Sequence, residues 1–583
     1  MKPRMSGPCD PPGMLAPRYR WRYPDRAPLD ASYAAAVAAH GGSTLLARVL
    51  ARRGVALDEL AAFFGPPEAG IHDAALLPDA AAVVARVGRA RDRGERVLVM
   101  GDFDADGLTG LAILATALRH LGLDAATHVP SRLDEGHGLS LRAVEAAAAD
   151  GRTLILTVDT GSSSVAEVAA ATARGIDVII TDHHRVPDVA PAAAALVNPH
   201  RPGATYPDRR LAGSGVALKV AALLLERLAG TPAAETVADL ADLAAIGTVA
   251  DVAPVLGENR SIARLGLARI RSDPRPGIAA LLSAAGVEPA AATLETIAFA
   301  LAPRLNAAGR VGDAGDAAAL LLAADAATAA AAAAALERAN ATRRDVTRAA
   351  LDEARAVLAG QDPDLPATVV RGPWPVGVVG LVAARLAEDA GRPAVVAAEL
   401  GRVLRASCRA PEGYDLAATL AACGDLLERH GGHRGAAGLE VREDRWEPFR
   451  ARFLDLVAAG APADPRPEIR LDLAVPARGA DYRLLALLAG LAPTGPGNPE
   501  PLVGVHGLTV TRIREAAGGH AQLTLRRAVD VVDAIAFERA DLLESVREGD
   551  RVDVAGRLAS RRFGGIESLQ LVVVDVAPAA AAR

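Results

Sequence analysis

Short apolar runs that break abruptly into polar residues recur in the first half of the chain. RVLVM is followed by GDFDADG (101–107), LILTV by Asp159, and VIIT by Asp182. Alanine- and leucine-rich segments with helical character separate these runs. This alternation is typical of βαβ units, in which the carboxyl ends of parallel strands meet at one edge of the sheet. We therefore expect the three acidic turns to lie close together.

The same pattern divides the chain into predicted domains. The proline-rich residues 1–44 predict a loose leader, and 45–313 carry the strand–helix alternation of a mostly parallel α/β lobe. Residues 314–360, with a polyalanine centre, predict a long connecting helix, and 361–460 a smaller α/β lobe. Short alternating runs with glycine turns in 466–583 predict a small β-barrel of the OB type.

Within the leader, basic and aromatic residues alternate at 18–23 (RYRWRY). Such interleaving could stack on and neutralise a nucleic-acid single strand. The alternative is a segment that packs against the body of the protein, and we favour this second interpretation.

Composition excludes several classes of protein. With 583 residues, 51% hydrophobic and 23% charged, the chain is globular and long enough for roughly three or four domains. A net charge of −6 limits any nucleic-acid interface to a local patch. The start lacks a signal-peptide pattern because prolines interrupt it, and the alanine-rich stretch 314–336 contains aspartates, which disfavours a membrane span. Three cysteines in no metal-binding spacing indicate a reducing, cytoplasmic setting.

The acidic turns carry the chemistry. Asp102, Asp104 and Asp106 occupy every second position after the first strand, and His183 and His184 follow the third. Adjacent buried carboxylates repel one another unless a cation neutralises them. Oxygen ligands with one imidazole suit Mn²⁺ or Mg²⁺. The sequence therefore predicts a divalent metal centre.

The order of the motifs is more specific than any one of them. They are GDFDADG (101–107), SRLDEGHGLS (131–140), TVDTGSSS (157–164), TDHH (181–184), VNPH (197–200), GTVADVAP (247–254), PRLNAAGR (303–310), GGHRGAAGL (431–439) and GPGNPEP (495–501). In this order they resemble the DHH phosphoesterase superfamily and, within it, the RecJ family of single-stranded-DNA exonucleases. The resemblance covers nearly the whole chain and implies a two-lobed DHH/DHHA1 core with a C-terminal OB-like barrel.

The resemblance implies a site for two metal ions, Mn²⁺ or Mg²⁺, and a set of residues that bind them. The aspartates matching Asp104 and Asp106 each serve one ion, and the aspartate matching Asp159 bridges them. Residues matching His183 and Asp251 complete the ligand shell. Two such ions could activate a water and stabilise an in-line displacement at phosphorus.

The resemblance places other residues around these ligands. Asp102 would be a near neighbour or an outer ligand, and His184 would face the phosphate. Some relatives carry a histidine where this chain has Met100. Taken singly, Asp102 predicts a strand end or the cap of a helix beginning near Leu108, and Asp251 an ordinary loop carboxylate.

The second lobe contains the predicted phosphate contacts. Glycines in GGHRGAAGL allow close backbone approach to a phosphate, and the resemblance makes Gly432 and His433 the candidates. Ser407 and Arg409 match an element that binds the 5′ end of the strand, where a guanidinium can contact phosphate with two hydrogen bonds. PRLNAAGR contains three further candidates, Arg304, Asn306 and Arg310. For these residues two interpretations stay open, contact with DNA or a structural role.

The predicted function is a 5′→3′ exonuclease on single-stranded DNA that releases mononucleotides in recombination and repair. The alternatives are a phosphodiesterase for short oligonucleotides or cyclic dinucleotides, and a catalytically inactive relative of replication scaffolds. Family resemblance alone implies a single-stranded-DNA-binding protein and a helicase as partners. We expect all of the chemistry to lie between residues 100 and 440, and GPGNPEP to pack on the second lobe.

Overall fold

The computed structural model describes most of the chain. The described residues are 15–25, 27–131, 135–462, 464, 466–563 and 566–579. Cys9 and part of SRLDEGHGLS therefore lie outside them. The chain divides into two compact units. We call residues 56–346 with 493–499 the parallel-sheet unit, and the described residues of 1–55, 347–492 and 500–583 the barrel unit.

The apolar runs form strands as the sequence predicts. In chain order the strands are β1 (Arg20–Arg22), β2 (Arg96–Gly101), β3 (Asp124–His128), β4 (Leu154–Val158), β5 (Asp177–Thr181), β6 (Ala195–Val197), β7 (Thr368–Gly372), β8 (Ala394–Leu400), β9 (Val403–Arg409), β10 (Arg429–Gly432), β11 (Ala436–Arg442), β12 (Glu468–Arg470), β13 (Leu473–Val475), β14 (Val503–Ala516), β15 (His520–Arg527), β16 (Asp530–Ala536), β17 (Arg551–Phe563) and β18 (Ile566–Pro578).

Helices fill most of the connections. They are α1 (Ala31–Ala39), α2 (Thr44–Arg52), α3 (Leu60–Phe64), α4 (Ala80–Arg93), α5 (Ala105–His120), α6 (Leu141–Ala149), α7 (Val165–Thr172), α8 (Gly213–Ala229), α9 (Ala233–Ala250), α10 (Gly257–Ser272), α11 (Pro276–Ala284), α12 (Leu294–Thr296), α13 (Ala302–Val311), α14 (Gly315–Leu321), α15 (Ala326–Ala359), α16 (Val376–Ala390), α17 (Leu416–Ala421), α18 (Trp446–Ala459), α19 (Tyr482–Leu488) and α20 (Leu542–Ser545).

The parallel-sheet unit contains a five-stranded sheet in the order β3-β2-β4-β5-β6, with every pair parallel. Its central strands are apolar on both faces because helices cover both faces. The helix α5, buried except at its carboxyl end, packs against α8 and α9 within the largest hydrophobic core. This topology brings the ends of β2, β4 and β5, and hence the three acidic turns, to one edge.

The barrel unit contains two larger sheets. One is the mixed sheet β10-β11-β9-β8-β7, and all of its strands lie within the predicted smaller α/β lobe (361–460). The other closes into a barrel because β14 pairs with both β15 and β17, and β16 pairs with β18. The strand β16, which the sequence analysis did not identify, is needed for this closure. The C-terminal region is therefore a closed five-stranded barrel consistent with an OB fold.

The described part of the leader is not loose. Strand β1 pairs in parallel with β12, and the indole N–H of Trp21 donates to Asp575 over 2.8 Å. The arginines of this segment form ion pairs with nearby carboxylates, including Arg18 with Asp541 and Arg22 with Glu468. These contacts agree with the favoured interpretation, a segment packed against the body.

The predicted connecting helix begins later than expected. The tract from 314 onward is divided by a break after α14, and the long helix α15 starts only at Ala326. Asp325 marks the break because its carboxylate accepts from the backbone N–H and the hydroxyl of Thr328. Among the described residues no single helix has the length and apolar character to cross a membrane; the bent pair α1 and α2 meets those criteria only jointly, by length and composition.

Candidate metal centre and phosphate-binding site

The first acidic turn is held by a tight approach between β2 and the start of α5. A Cβ at Gly107 would lie 2.5 Å from the backbone nitrogen of Asp102, so only glycine fits there. Asp104 caps α5 by accepting from the N–H groups of Asp106 and Gly107 at 3.1 Å each. The helix therefore begins at Ala105 with Asp104 as its cap, which corrects the expectation of a helix capped by Asp102.

Asp106 is fixed by the first residues of α8. Its two carboxylate oxygens accept from the backbone N–H groups of Gly213 (2.7 Å) and Ser214 (3.0 Å). A Cβ at Gly213 would lie 2.6 Å from the Cβ of Asp159. Glycine at this position therefore lets one helix end approach two acidic turns at once. Nothing in the sequence signals this role, because LAGSG (211–215) carries no charged group.

Asp159 and His183 face each other at the ends of β4 and β5. The Oδ1 atom of Asp159 lies 3.0 Å from Nε2 of His183, yet neither atom has a hydrogen-bond partner among the described residues. Asp159 also has a backbone φ of +60°, a strained conformation for a residue other than glycine. Burial, followed by repulsion from Asp106 and Asp104, raises the pKa of Asp159 well above its usual value. Two buried polar atoms without partners are the arrangement expected at a metal-binding position.

Asp182 organises the turn that carries both histidines. One of its oxygens accepts from the backbone N–H of His183 (2.7 Å), the N–H of His184 (3.1 Å) and Nδ1 of His184 (2.9 Å). Burial alone would raise the pKa of Asp182, but these bonds and the N–H of Ser162 lower it to about 2. The hydrogen bond that Nδ1 of His184 donates to Asp182 in turn raises the pKa of His184 to about 9. Asp182 was not among the predicted site residues. An aspartate that accepts hydrogen bonds from the backbone N–H groups of the next two residues is, however, a recognisable turn motif.

A second support for this turn comes from VNPH. The side-chain amide of Asn198 donates to the backbone oxygen of His184 over 2.8 Å and to the hydroxyl of Ser162 over 2.9 Å. Asn198 is fully buried. It therefore holds the backbone carbonyl of His184, while Asp182 holds its N–H and its ring.

Asp251 ends α9 beside His183. Its Oδ2 lies 3.9 Å from Nδ1 of His183, and burial followed by the charges of Asp106 and Asp104 raises its pKa to about 8. The next residue, Val252, has a φ of +60°. Backbone bonds from Val252 to Val249 (3.2 Å) and from Ala253 to Thr248 (3.1 Å) form a Schellman motif, in which that place normally belongs to glycine. Valine there costs roughly 1–2 kcal/mol.

The loop after Asp251 is braced by residues 493–499. The N–H of Val255 donates to Pro496 over 2.7 Å, and the guanidinium of Arg260 donates to Pro493 over 2.9 Å. A Cβ at Gly497 would lie 3.0 Å from Pro254. This segment therefore belongs to the parallel-sheet unit. The expectation that GPGNPEP packs on the second lobe is therefore wrong for residues 495–499. The proposed metal ligands all lie between residues 100 and 440, but the backbone support of the loop after Asp251 comes from outside that range.

Asp102 lies at the border of the cluster. Its Oδ1 accepts from the N–H of Phe103 over 2.8 Å, and its Oδ2 lies 3.0 Å from Nδ1 of His137. Met100 is fully buried in the core beneath. His137, which the sequence analysis did not single out, thus brings an imidazole to the first acidic turn although Met100 provides none.

Taken together, these side chains form overlapping sets that could hold a metal ion. Ligand atoms of Asp159, His183 and His184 lie within 4.8 Å of one another, as do those of Asp106, His183 and Asp251. Burial, with repulsion from Asp102 and Asp106, also raises the pKa of Asp104 to about 6. Carboxylates crowded this closely resist ionisation unless a cation neutralises them, so the residues present fit hard divalent ions.

PRLNAAGR contacts the first acidic turn through Asn306 and through the close approach of Gly309 to Phe103. The side-chain oxygen of Asn306 accepts from the N–H of Ala105 over 2.7 Å, at the start of α5. Arg304 instead pairs with Glu337 at 2.6 Å and donates to the carbonyl of Ala300 at 2.7 Å. These contacts give Asn306 and Arg304 structural partners; the predicted role of Arg310 stays a prediction.

The predicted phosphate contacts lie on one sheet of the barrel unit. Ser407 and Arg409 occupy the same face of β9, and the guanidinium of Arg409 donates to the Ser407 hydroxyl (3.1 Å) and to the Cys408 carbonyl (2.8 Å). Burial lowers the pKa of Arg409 from its usual value. In the adjacent strand Gly438 pairs with Ser407, so no side chain fills the space opposite. A Cβ at Gly380 of α16 would lie 3.2 Å from the Ser407 hydroxyl, which shows close backbone approach from the helix as well.

The glycine-rich turn joins β10 to β11 in the same sheet. Gly432 has a φ of +135°, and a Cβ there would lie 2.5 Å from the Ala436 carbonyl, so glycine is required. The N–H of His433 donates to Ala436 over 2.8 Å, and the His433 side chain is exposed. Ala436 pairs with Arg409, so the turn and the arginine belong to adjacent strands.

Comparison with known proteins agrees with this geometry. Residues 96–248 match the model of the DHH family N-terminal domain, and 471–575 match the RecJ OB domain. The single-stranded-DNA-specific exonuclease RecJ of Bacillus subtilis is 33% identical over 91% of this chain and 68% of its own length. The corresponding protein of Dickeya dadantii is 36% identical over 92% of this chain and 96% of its own.

Solved structures give the same result. The crystal structure of Thermus thermophilus RecJ in complex with Mn²⁺ superimposes with a TM-score of 0.82 at 33% identity, covering 97% of this chain and 80% of that one. Its complex with Mg²⁺ gives 0.77 at 32% identity, covering 97% and 79%. With this identity over most of both chains, the chain belongs to the RecJ family of single-stranded-DNA-specific exonucleases.

Proposed function

We propose that the chain is a single-stranded-DNA-specific exonuclease that uses two divalent ions, Mn²⁺ or Mg²⁺, to release mononucleotides in the 5′→3′ direction. The names of its relatives support the substrate and the reaction class. The Mn²⁺ and Mg²⁺ complexes of the Thermus thermophilus relative support the choice of ions. These relatives do not favour an oligonucleotide phosphodiesterase or an inactive scaffold.

One observation carries the proposal. The facing atoms of Asp159 and His183 are buried, 3.0 Å apart and without a hydrogen-bond partner among the described residues. The distance would allow a hydrogen bond between the two atoms, but they do not form one. Simultaneous ligation of a metal ion would satisfy both atoms.

We assign the ligand roles as follows. Asp104 and Asp106 would each hold one ion, Asp159 would bridge both, and His183 and Asp251 would complete the shell. Bound there, the two ions would activate a water and neutralise charge on the scissile phosphate. Helix α8 contributes indirectly, because the N–H groups of its first residues fix the orientation of Asp106.

His184 has a separate proposed role. Its Nδ1 is bound to Asp182, which leaves Nε2 free to act towards a substrate, and its raised pKa of about 9 favours the imidazolium. We infer that this cation donates to a non-bridging phosphate oxygen. A charge-assisted bond of this type would orient the phosphate for attack.

The direction of hydrolysis would follow from recognition of the 5′ end. Arg409 and Ser407 form a donor pair beside two positions without side chains, Gly380 and Gly438. We infer that this donor pair binds a terminal phosphate, with His433 and Gly432 as further candidates. Interaction with a single-stranded-DNA-binding protein and a helicase stays a prediction of the family resemblance.

The test compares 5′-labelled and 3′-labelled single strands with matched duplexes in Mn²⁺, Mg²⁺ and EDTA. We expect a 5′ label to appear at once as mononucleotide, a 3′ label to remain on shortening strands, and duplexes to persist. Release of the 3′ label first would contradict the direction. Cleavage restricted to dinucleotides or cyclic dinucleotides would instead favour the small-substrate phosphodiesterase.

A further inference from the structure

Few residues other than glycine have a left-handed backbone among the described residues, and two of them belong to the candidate metal centre. The residues are Asp79, Asp159, Val252, Ala528 and Glu538. Val252 is the β-branched member of this group, the side-chain type least compatible with a positive φ. It directly follows the proposed ligand Asp251.

The packing of Val252 does not explain why valine occupies this position. Its side chain is 66% exposed, whereas those of Val249, Ala253 and Val255 around it are buried. The Schellman motif needs only the backbone of the residue, and glycine would adopt it without strain. A strained residue that contributes little to the core points to a use outside the core.

The surroundings enforce the strained conformation. Asp251 must stay at the end of α9 to remain beside His183, and the following residues are tied down by the bond from Val255 to Pro496. Because both flanks are fixed, the intervening residue has no freedom to relax. Val252 is therefore held at a defined place directly after the ligand Asp251, with its side chain exposed.

We propose that Val252 contacts the sugar of the nucleotide whose phosphate is bound at the metal centre, and that it selects deoxyribose over ribose. This inference rests on the proposed function. A branched apolar side chain packs favourably on the C2′ methylene of deoxyribose. On ribose the same side chain would desolvate the 2′-hydroxyl without offering a hydrogen bond, which penalises RNA.

The experiment uses three variants of the full-length protein with short 5′-phosphorylated DNA and RNA oligonucleotides of one sequence in Mn²⁺. Val252→Gly removes the side chain and the strain. Val252→Thr keeps the shape and the strain but supplies a hydroxyl that can bond to ribose. Ala528→Gly relieves a left-handed backbone in the turn between β15 and β16 and serves as the matched control.

We expect Val252→Gly to lower kcat/KM on DNA about threefold and to raise it on RNA about threefold, so that the DNA-to-RNA ratio falls about tenfold. Its unfolding midpoint should stay equal or rise by about 2–4 °C, because strain is removed. Val252→Thr should keep DNA turnover within about threefold and still lower the DNA-to-RNA ratio. Ala528→Gly should change neither kinetic quantity.

An unchanged DNA-to-RNA ratio in both Val252 variants would overturn the sugar contact while leaving the nuclease assignment intact. A clear drop in the unfolding midpoint of Val252→Gly would also overturn it, because the valine would then have a structural role. Failure of the wild-type protein to degrade single-stranded DNA is a different result. That outcome would overturn the proposed function itself.

Discussion

Asp159 and His183 lie at the ends of adjacent parallel strands, with Oδ1 of the first 3.0 Å from Nε2 of the second. Each is positioned by its own turn: Asp159 by a strained backbone, and His183 by the N–H that Asp182 accepts. The pair forms the centre of a cluster in which burial and repulsion raise the pKa of several carboxylates. Such a cluster is unfavourable without a cation and well suited to bind one.

Asp159→Asn should lower turnover at least about a thousandfold, because a neutral amide cannot bridge two ions. The fold should persist, since asparagine has nearly the same shape and removes a buried charge. Single-turnover assays in Mn²⁺ and an unfolding curve in EDTA check both points. Asp188→Asn, which changes an exposed carboxylate in the loop after the histidines, is the control. Activity of Asp159→Asn within tenfold of wild type would rule out a bridging role.

The metal-free protein should lose stability as the pH rises. Asp104 and Asp251 have folded-state pKa values of about 6 and about 8, above the usual 3.8. A carboxyl group whose pKa is higher in the folded than in the unfolded protein stabilises the fold while it is protonated. This contribution to the free energy of unfolding is complete below the unfolded-state pKa and is lost as the pH rises through the folded-state pKa. In EDTA, the thermal unfolding midpoint should therefore decrease as the pH is raised from 4 to 8.

Adding Mn²⁺ should reverse that loss, since the ion binds the ionised carboxylates. The increase in midpoint should be larger at pH 8 than at pH 5, and it should be much smaller in Asp159→Asn. If Mn²⁺ raised the unfolding midpoint equally at both pH values, these carboxylates would not be the groups that bind the metal.

Arg409→Ala should weaken productive binding of 5′-phosphorylated strands more than that of 5′-hydroxyl strands. The proposed contact is charge-assisted and worth roughly 1.5–3 kcal/mol, or about 10- to 100-fold in kcat/KM. Arg405→Ala is the matched control because Arg405 lies on the same face of β9 but pairs with Glu440 at 2.7 Å. Equal losses on both substrates would leave Arg409 with a structural role alone.

Gly497→Ala should impair the metal centre although position 497 carries no ligand. Gly497 has a φ of +72°, and an added Cβ would press on Pro254 in the loop after Asp251. We expect Mn²⁺ affinity to fall about tenfold, as for other residues that support metal ligands. Gly519→Ala is the control, since its φ is +76° with open space around the added Cβ. Mn²⁺ titrations that give the same affinity for both variants would remove residues 493–499 from the support of Asp251.

The same contacts change how the C-terminal region should be tested. A truncation after residue 460 would delete the brace of Asp251 along with the barrel. Loss of activity in such a protein would therefore say little about DNA binding by the barrel. Substitution of arginines on the barrel surface, with residues 493–499 intact, separates the two effects.

The sequence by itself determined the parallel sheet and its acidic edge. Apolar runs with the period and length of buried strands, separated by helical segments, leave one main topology, and that topology brings Asp106, Asp159 and His183 together. Alternating runs with glycine turns also predicted the C-terminal barrel, although its strand β16 (Asp530–Ala536) was not predicted. These features depend on periodicity and on adjacent positions, which a sequence displays directly.

Only the tertiary structure decided which residues support the site. Gly213 and Ser214 bind Asp106 from 107 and 108 positions away, Asn306 reaches Ala105 across 201 positions, and Pro496 braces a loop near Asp251. These partners act through backbone groups, small size or a single amide, so no charge or periodic pattern identifies them in the sequence. The strain at Val252 was hidden for the same reason, because a backbone angle is set by what holds both flanks of the residue and not by the residue itself.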